Sequence, residues 1–205
     1  MRKITFGNEK ADTILIQPVS GDELKFAEDE LKLIKESTGA DFCMYAVEVD
    51  NWNSDLSPWE TEPVFGKEGF GDGAEKTLEE ILKFCEDKSR RYIIGGYSLA
   101  GLFSIWSAYQ TDIFCGVAAA SPSIWFPGFV DYMKEHEIKT DKVYLSLGDK
   151  EEKTRNPVMA TVREKIEEAY SLLKEKGIKS NLEMNKGNHF RDVDIRTAKA
   201  FSWVL

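Results

Sequence analysis

A serine hydroxyl becomes a nucleophile only when a neighbouring base takes its proton and the backbone presents it to a substrate. The segment Gly96-Tyr97-Ser98-Leu99-Ala100-Gly101 has the residue types for this. Gly96 and Ala100 stand two positions either side of Ser98, where a sharp strand-to-helix turn needs small side chains because larger ones would collide. Gly101 then lets a following helix sit close to a sheet. Arg91 to Gly95 reads as a strand, and Leu99 to Tyr109 is apolar all round, as a helix buried against a sheet should be. Gly96 and Gly101 also have the spacing of a phosphate loop, but Lys and Ser or Thr should then follow, and Leu102 and Phe103 stand there. No G-x-G-x-x-G follows any strand, so nucleotide binding is set aside.

The base is nearly fixed by elimination, since the chain has only two histidines. His136 lies in Lys134-Glu135-His136-Glu137, a charged helix end, and reads as a solvated surface residue. His189 lies in Gly187-Asn188-His189-Phe190, a turn after the last strand and before the last helix, and is the expected base. The acid should follow the strand before last, where Gly148-Asp149-Lys150-Glu151-Glu152 offers three carboxylates. Its task is to accept the other imidazole N–H and stabilise the imidazolium. Glu151 is the first choice, with Asp149 second and Glu152 third. A developing oxyanion needs backbone donors, and the Leu99 amide at a helix N-terminus supplies one. The other should come from the loop after Gln17. Pro18 has no N–H, so the donor is Val19 or Ser20, with Val19 taken first.

These residues need a scaffold, and short apolar runs alternating with helical patterns supply an α/β fold with a mainly parallel sheet and helices on both faces. Strands are expected near Lys3–Phe6, Thr13–Gln17, Phe42–Val49, Arg91–Gly95, Val117–Ala120, Lys142–Leu147 and Ser180–Met184. Helices are expected after Ser20 and Glu23, which have capping-box spacing, up to Gly39. Others carry Leu78, Ile81 and Cys85, Phe129 to Glu137, Met159 to Leu173, and Val193 to Val204. Asp50 to Gly73 is irregular and rich in aromatic residues and glycine. No repeat or linker divides the chain, so a single domain over residues 1–205 is expected.

Composition narrows the partners. Lys and Arg total 27 against 36 Asp and Glu, a net charge of -9, and no basic run is present. Such a chain repels phosphate backbones and anionic lipid, which argues against nucleic acid and membrane surfaces. No long apolar block stands near Met1, so a cytoplasmic location is expected. Cys43, Cys85 and Cys115 each lie among apolar neighbours and read as buried free thiols. Two histidines dispersed among carboxylates make no zinc site, and neither a metal nor an organic cofactor is expected. The oligomeric state is left open.

With Ser98, Glu151 and His189 in chain order, the sequence resembles the esterase D-like group of the α/β-hydrolases. That group includes siderophore (enterobactin-type) esterases, feruloyl esterases and S-formylglutathione hydrolases. Ala120-Ser121-Pro122-Ser123-Ile124-Trp125 is similar to the A-S-P-S-x-W segment of the siderophore-esterase branch, and Gly148-Asp149-Lys150-Glu151 to its G-x-x-E. Gly187-Asn188-His189-Phe190 is similar to its G-x-H-x turn, and Asn53 to Trp59 resembles a segment of small bacterial esterases of this kind. The resemblance implies an α/β-hydrolase fold and a serine carboxylic-ester hydrolase that forms an acyl-enzyme on Ser98 from a small acyl or aryl ester. Acyl transfer with the same triad is the alternative. A non-catalytic binding member of the fold is another, although such a member should have lost a triad residue. The short chain implies N-terminal strands reduced to one and no large cap domain. No Arg or Lys cluster suits a trianionic iron chelate. Tyr97, Trp59 and Trp125 are the expected substrate contacts, with Phe126 a further candidate.

Overall fold

A computed structural model describes residues 1–205. The elements run β1 (Arg2–Gly7), β2 (Thr13–Val19), α1 (Ala27–Thr38), β3 (Cys43–Glu48), α2 (Trp52–Asp55), α3 (Ala74–Leu82) and β4 (Arg91–Tyr97). They continue with α4 (Leu99–Gln110), β5 (Phe114–Ala120), α5 (Phe129–Glu135), β6 (Lys142–Gly148), α6 (Val162–Glu175), β7 (Lys179–Asn185) and α7 (Val193–Val204). The seven strands make one sheet in the order β1-β3-β2-β4-β5-β6-β7. All neighbours are parallel except β1, which runs antiparallel to β3 at one edge. The expected alternation and the single N-terminal strand are both present.

The central strands are buried on both faces, which is why their sequences are almost continuously apolar. Successive side chains go to opposite sides. Leu15, Ile93 and Ala118 pack with Ile34 of α1 and Phe201 of α7 on one face. Ile16, Ile94 and Ala119 pack with Phe103 of α4, Leu78 of α3 and Ile166 of α6 on the other. Helix α4 is buried along Leu99–Tyr109, so its uniformly apolar sequence reflects contact on every side.

Three details differ from expectation. Ser20 and Glu23 open a short 3-10 turn (Glu23–Phe26) rather than α1 itself, and only the Glu23 arm of the capping box forms, to the Ser20 N–H at 2.9 Å. Cys43 and Cys85 are buried free thiols, but Cys115 is only half-buried. Asp50 to Gly73 is not wholly irregular, since it contains α2 and a bridge between Thr61 and Phe70. Gly39 closes α1 as expected, at a φ of 64° that a side chain would strain. No helix is long and apolar enough to cross a membrane.

One buried acid sets a pH dependence of stability. Glu30 of α1 is 3% exposed. Burial pushes its pKa from 4.5 up to about 8, with Glu23 and Asp194 adding repulsion and a hydrogen bond from Gln17 opposing the rise. The folded chain therefore keeps this proton at pH values where the unfolded chain has lost it, so stability falls as pH rises from about 4.5 to about 8 and levels off above. Glu30→Gln should flatten this slope and stabilise the protein above pH 7 by on the order of a few kcal/mol, read from urea unfolding at pH 5, 7 and 9.

Candidate active site

Ser98 lies between β4 and α4 with φ 56° and ψ -120°, a backbone conformation in which a non-glycine residue is strained. Three backbone hydrogen bonds hold it. Its N–H donates to the Ala120 carbonyl at 3.1 Å, and its carbonyl accepts from Leu102 at 3.1 Å and Ser123 at 3.0 Å. The small residues around it answer to real crowding. A Cβ on Gly96 would lie 2.7 Å from the Ala100 Cβ, and one on Gly101 would lie 3.0 Å from the Gly96 carbonyl and 3.2 Å from Pro122.

His189, Glu151 and Ser98 meet at the C-terminal edge of the sheet. His189 Nε2 is 3.0 Å from Ser98 Oγ, and His189 Nδ1 is 2.8 Å from Glu151 Oε2. The second oxygen, Oε1, accepts from the Gly148 N–H at 2.6 Å, the Ser121 hydroxyl at 2.9 Å and Arg196 Nη1 at 2.9 Å. Burial works to raise the Glu151 pKa, but the His189 contact and the hydrogen bonds from Gly148 and Ser121 together hold it below the ordinary value. Glu151 therefore stays a carboxylate across the neutral range. The other two carboxylates are elsewhere. Asp149 accepts the Gly187 N–H at 2.8 Å, shaping the loop that carries His189, and Glu152 pairs with Arg163. His136 is exposed at the end of α5, where it stacks on Tyr132 and its Nδ1 lies 2.9 Å from the Tyr132 carbonyl, and it bonds to none of these residues.

A cavity of about 330 Å³ opens over Ser98, walled by Trp52, Phe65, Phe70, Trp125, Met159 and Phe190. A second lobe of about 290 Å³ meets it at Trp52, Ser98, His189 and Phe190 and is lined by Ser20, Glu23, Tyr97 and Val193. Neither lobe is lined by a lysine or arginine. A larger groove of about 420 Å³ between α1 and α7 does not reach Ser98. No three His, Cys, Asp or Glu side chains come together to hold a metal ion.

The sequence-expected contacts divide. Trp125 lines the main cavity. Tyr97 lines the second lobe, with its hydroxyl already engaged, donating to the His189 carbonyl at 2.7 Å and accepting from Arg196 at 2.9 Å. Trp59 does not line either lobe. Its indole N–H donates to the Pro127 carbonyl at 3.0 Å and its ring packs on Phe126, Phe129 and Tyr132, because the chain past α2 runs down over α5. Phe126 is buried between Trp59 and Phe70. Trp52 takes the place expected of Trp59. Leu99 is the first residue of α4, so its N–H has no acceptor within the helix. Val19 is a correction. Its carbonyl accepts from Val49 of the chain after β3 at 3.0 Å, and a strand residue turns N–H and C=O the same way, so its N–H points toward β3 and away from Ser98. Ser20, the next residue, lines the second lobe with its N–H bonded to Glu23.

Four residues near the reacting atoms escaped sequence reading. Ser123 places its hydroxyl 3.2 Å from Ser98 Oγ. Ser121, at φ 43°, and Arg196 both reach Glu151. Glu23 faces the second lobe. The signal for Arg196 was present, because it shares a helical stripe with Val193, Ala200 and Val204 and so stands among core positions.

Known structures share this architecture. The siderophore hydrolase EstA from Aspergillus nidulans superposes with a TM-score of 0.71 at 18% identity, over 97% of this chain and 84% of that one. An IroE-like serine hydrolase from Shewanella oneidensis gives 0.77 at 15% identity, over 98% of this chain and 74% of that one. The Bacillus cereus carboxylesterase gives 0.64 at 14% identity, over 100% and 93%. Likeness at these identities establishes the fold, and this chain has the α/β-hydrolase fold. No family profile matches the sequence, and no curated protein matches it.

The packing behind the serine turn is tight enough to test. A Cβ on Gly95 would lie 2.5 Å from the Ala118 carbonyl and 2.8 Å from Phe201. Gly95→Ala should destabilise the protein by about 1–3 kcal/mol in chemical denaturation, through forced separation of β4 from β5 and α7.

Proposed function

We propose that this chain is a serine carboxylic-ester hydrolase acting on small, uncharged acyl or aryl esters through an acyl-enzyme on Ser98. The observation that carries the reading is the continuous relay from Ser98 Oγ through His189 to Glu151, at 3.0 and 2.8 Å, opening into an apolar cavity. In the first half-reaction His189 Nε2 takes the Ser98 proton as Oγ bonds to the ester carbon. The tetrahedral intermediate then collapses, and the alcohol leaves with that proton. Water repeats the sequence on the acyl-enzyme and returns the acid and the free serine. Glu151 fixes the imidazole orientation and steadies its charged form without itself taking the proton.

The Leu99 N–H is one oxyanion donor in this reading. The Ser20 N–H is the second, reached when the substrate oxygen displaces the Glu23 carboxylate that now holds it. The aromatic wall of Trp52, Phe65, Phe70 and Trp125 suits a flat or short apolar group, and the cleft offers no cation for an anionic one. EstA and the IroE-like protein, both named hydrolases, and the Bacillus cereus carboxylesterase share the fold, which supports this reading. The lack of a basic lining favours a neutral ester over an iron chelate.

Hydrolysis of p-nitrophenyl acetate and butyrate tests this. Wild type should turn both over, and Ser98→Ala and His189→Ala should each lower kcat by at least about 10⁴-fold. Inactivity of the wild type across a broad ester panel would sink the reading. Glu151→Gln should lower kcat by about 10³–10⁴-fold. Asp149→Asn can still accept the Gly187 N–H and should change kcat little. Equal small losses in both would assign the acid elsewhere.

A further inference from the structure

We propose that Arg196 is a positioning residue for this reaction, fixing the Glu151 carboxylate and setting its buried positive charge against the pull of that carboxylate on His189. The inference rests on the esterase reading for its function but on separate geometry for its substance. The Arg196 and Glu151 side chains are 1% and 4% exposed, so neither charge has water to fall back on. Arg196 Nη1 reaches Glu151 Oε1 at 2.9 Å, the Tyr97 hydroxyl at 2.9 Å and the Ser121 hydroxyl at 3.2 Å. Nη2 donates to the Lys186 carbonyl at 3.2 Å. Its Nε has no partner, so the cation is incompletely satisfied by neutral groups and Glu151 is its only counter-charge.

Two consequences follow from this placement. The first is geometric. Arg196 holds Oε1 from below while Tyr97, which Arg196 also grips, donates to the His189 carbonyl at 2.7 Å. One guanidinium thus ties the acid and the base-bearing loop to α7, and the loop is held at its start through Lys186. Gly148 is required for the fit, since a Cβ there would lie 2.8 Å from Glu151 Oε1 and 3.0 Å from Arg196 Nη2. The second is electrostatic. A bare buried carboxylate at 2.8 Å would favour the charged form of the imidazole it faces. The Arg196 charge on the far side of the same carboxylate opposes that. The other charged groups around His189 are Glu23 across the second lobe, Asp149 beneath the Gly187 turn, and the exposed Arg191–Asp192 pair. Glu23 favours the imidazolium, Asp149 is offset by Lys150, Lys153 and Lys186 around it, and the Arg191–Asp192 pair is neutral overall. Arg196 is the one buried cation that counters Glu151 and Glu23.

The test reads His189 directly, so it does not depend on catalysis. Only two histidines are present, and His136→Gln assigns their imidazole signals in an NMR pH titration. Arg196→Met should raise the His189 pKa by about one unit. The acidic limb of kcat/KM should move up by the same amount, with kcat at its plateau lowered at least tenfold. Arg196→Lys should keep His189 near its wild-type pKa, because the charge remains. It should still lower kcat, because an ammonium cannot reach Glu151, Tyr97, Ser121 and Lys186 together. If the Met variant does not fold, Arg196→Gln removes the charge while retaining donors to Ser121 and Tyr97, and carries the same expected pKa rise. An unchanged His189 pKa in the folded neutral variant would overturn the proposal, as would equal pKa values in the Lys and neutral variants. A wild type without esterase activity but with the predicted His189 shift would refute the esterase reading and leave the role of Arg196 standing.

Discussion

A serine held at φ 56° crowds its own backbone, and keeping a non-glycine residue there costs on the order of 1–3 kcal/mol. The surrounding structure must hold it in place. The Ala120 carbonyl at the end of β5 takes its N–H, and the first turn of α4 and the Ser123 amide share its carbonyl. Gly96 and Ala100 must stay small for the turn to close, and Gly101 must stay small for α4 to pass Pro122. The β4–β5 pairing, the buried face of α4 and the Ser121–Trp125 segment are thus all fitted to one strained residue. The return is an exposed hydroxyl over the sheet edge, 3.0 Å from an imidazole.

Around that point the molecule separates its chemistry into two layers. Above Ser98 the walls are aromatic and lack cationic side chains, so a substrate meets an apolar surface. Below it, Glu151, Arg196, Ser121 and Tyr97 form a buried polar cluster with almost all of its hydrogen bonds satisfied. Low dielectric strengthens such contacts and penalises their loss, which gives the imidazole a fixed environment rather than a fluctuating one. The remaining acidic surface is spread over exposed helices, where solvent screens it.

Much of this was legible in the sequence because it rests on local signals. The strand–small turn–apolar helix pattern located Ser98, and the scarcity of histidine left one credible base. Glu151 stands three residues past Gly148, and that spacing matters because the chain must turn back to reach the imidazole. What could not be read depends on pairing and packing between distant segments. The direction of the Val19 N–H follows from its register with β3, which no local pattern encodes. The choice of Trp52 over Trp59 depends on how a segment without periodicity drapes over α5. The α7 stripe marks Arg196 as inward-facing, but its partner lies 45 residues away in the chain, and no local pattern pairs the two.

Intact-mass analysis after treatment with a fluorophosphonate ester reads the activation of Ser98 most directly, since such reagents trap an activated serine as a stable covalent adduct. Wild type should take one adduct per chain, mapped to the peptide carrying Ser98, and folded Ser98→Ala should take none. A folded wild type that stays unmodified, or an adduct placed on Ser121 or Ser123 instead, would contradict it.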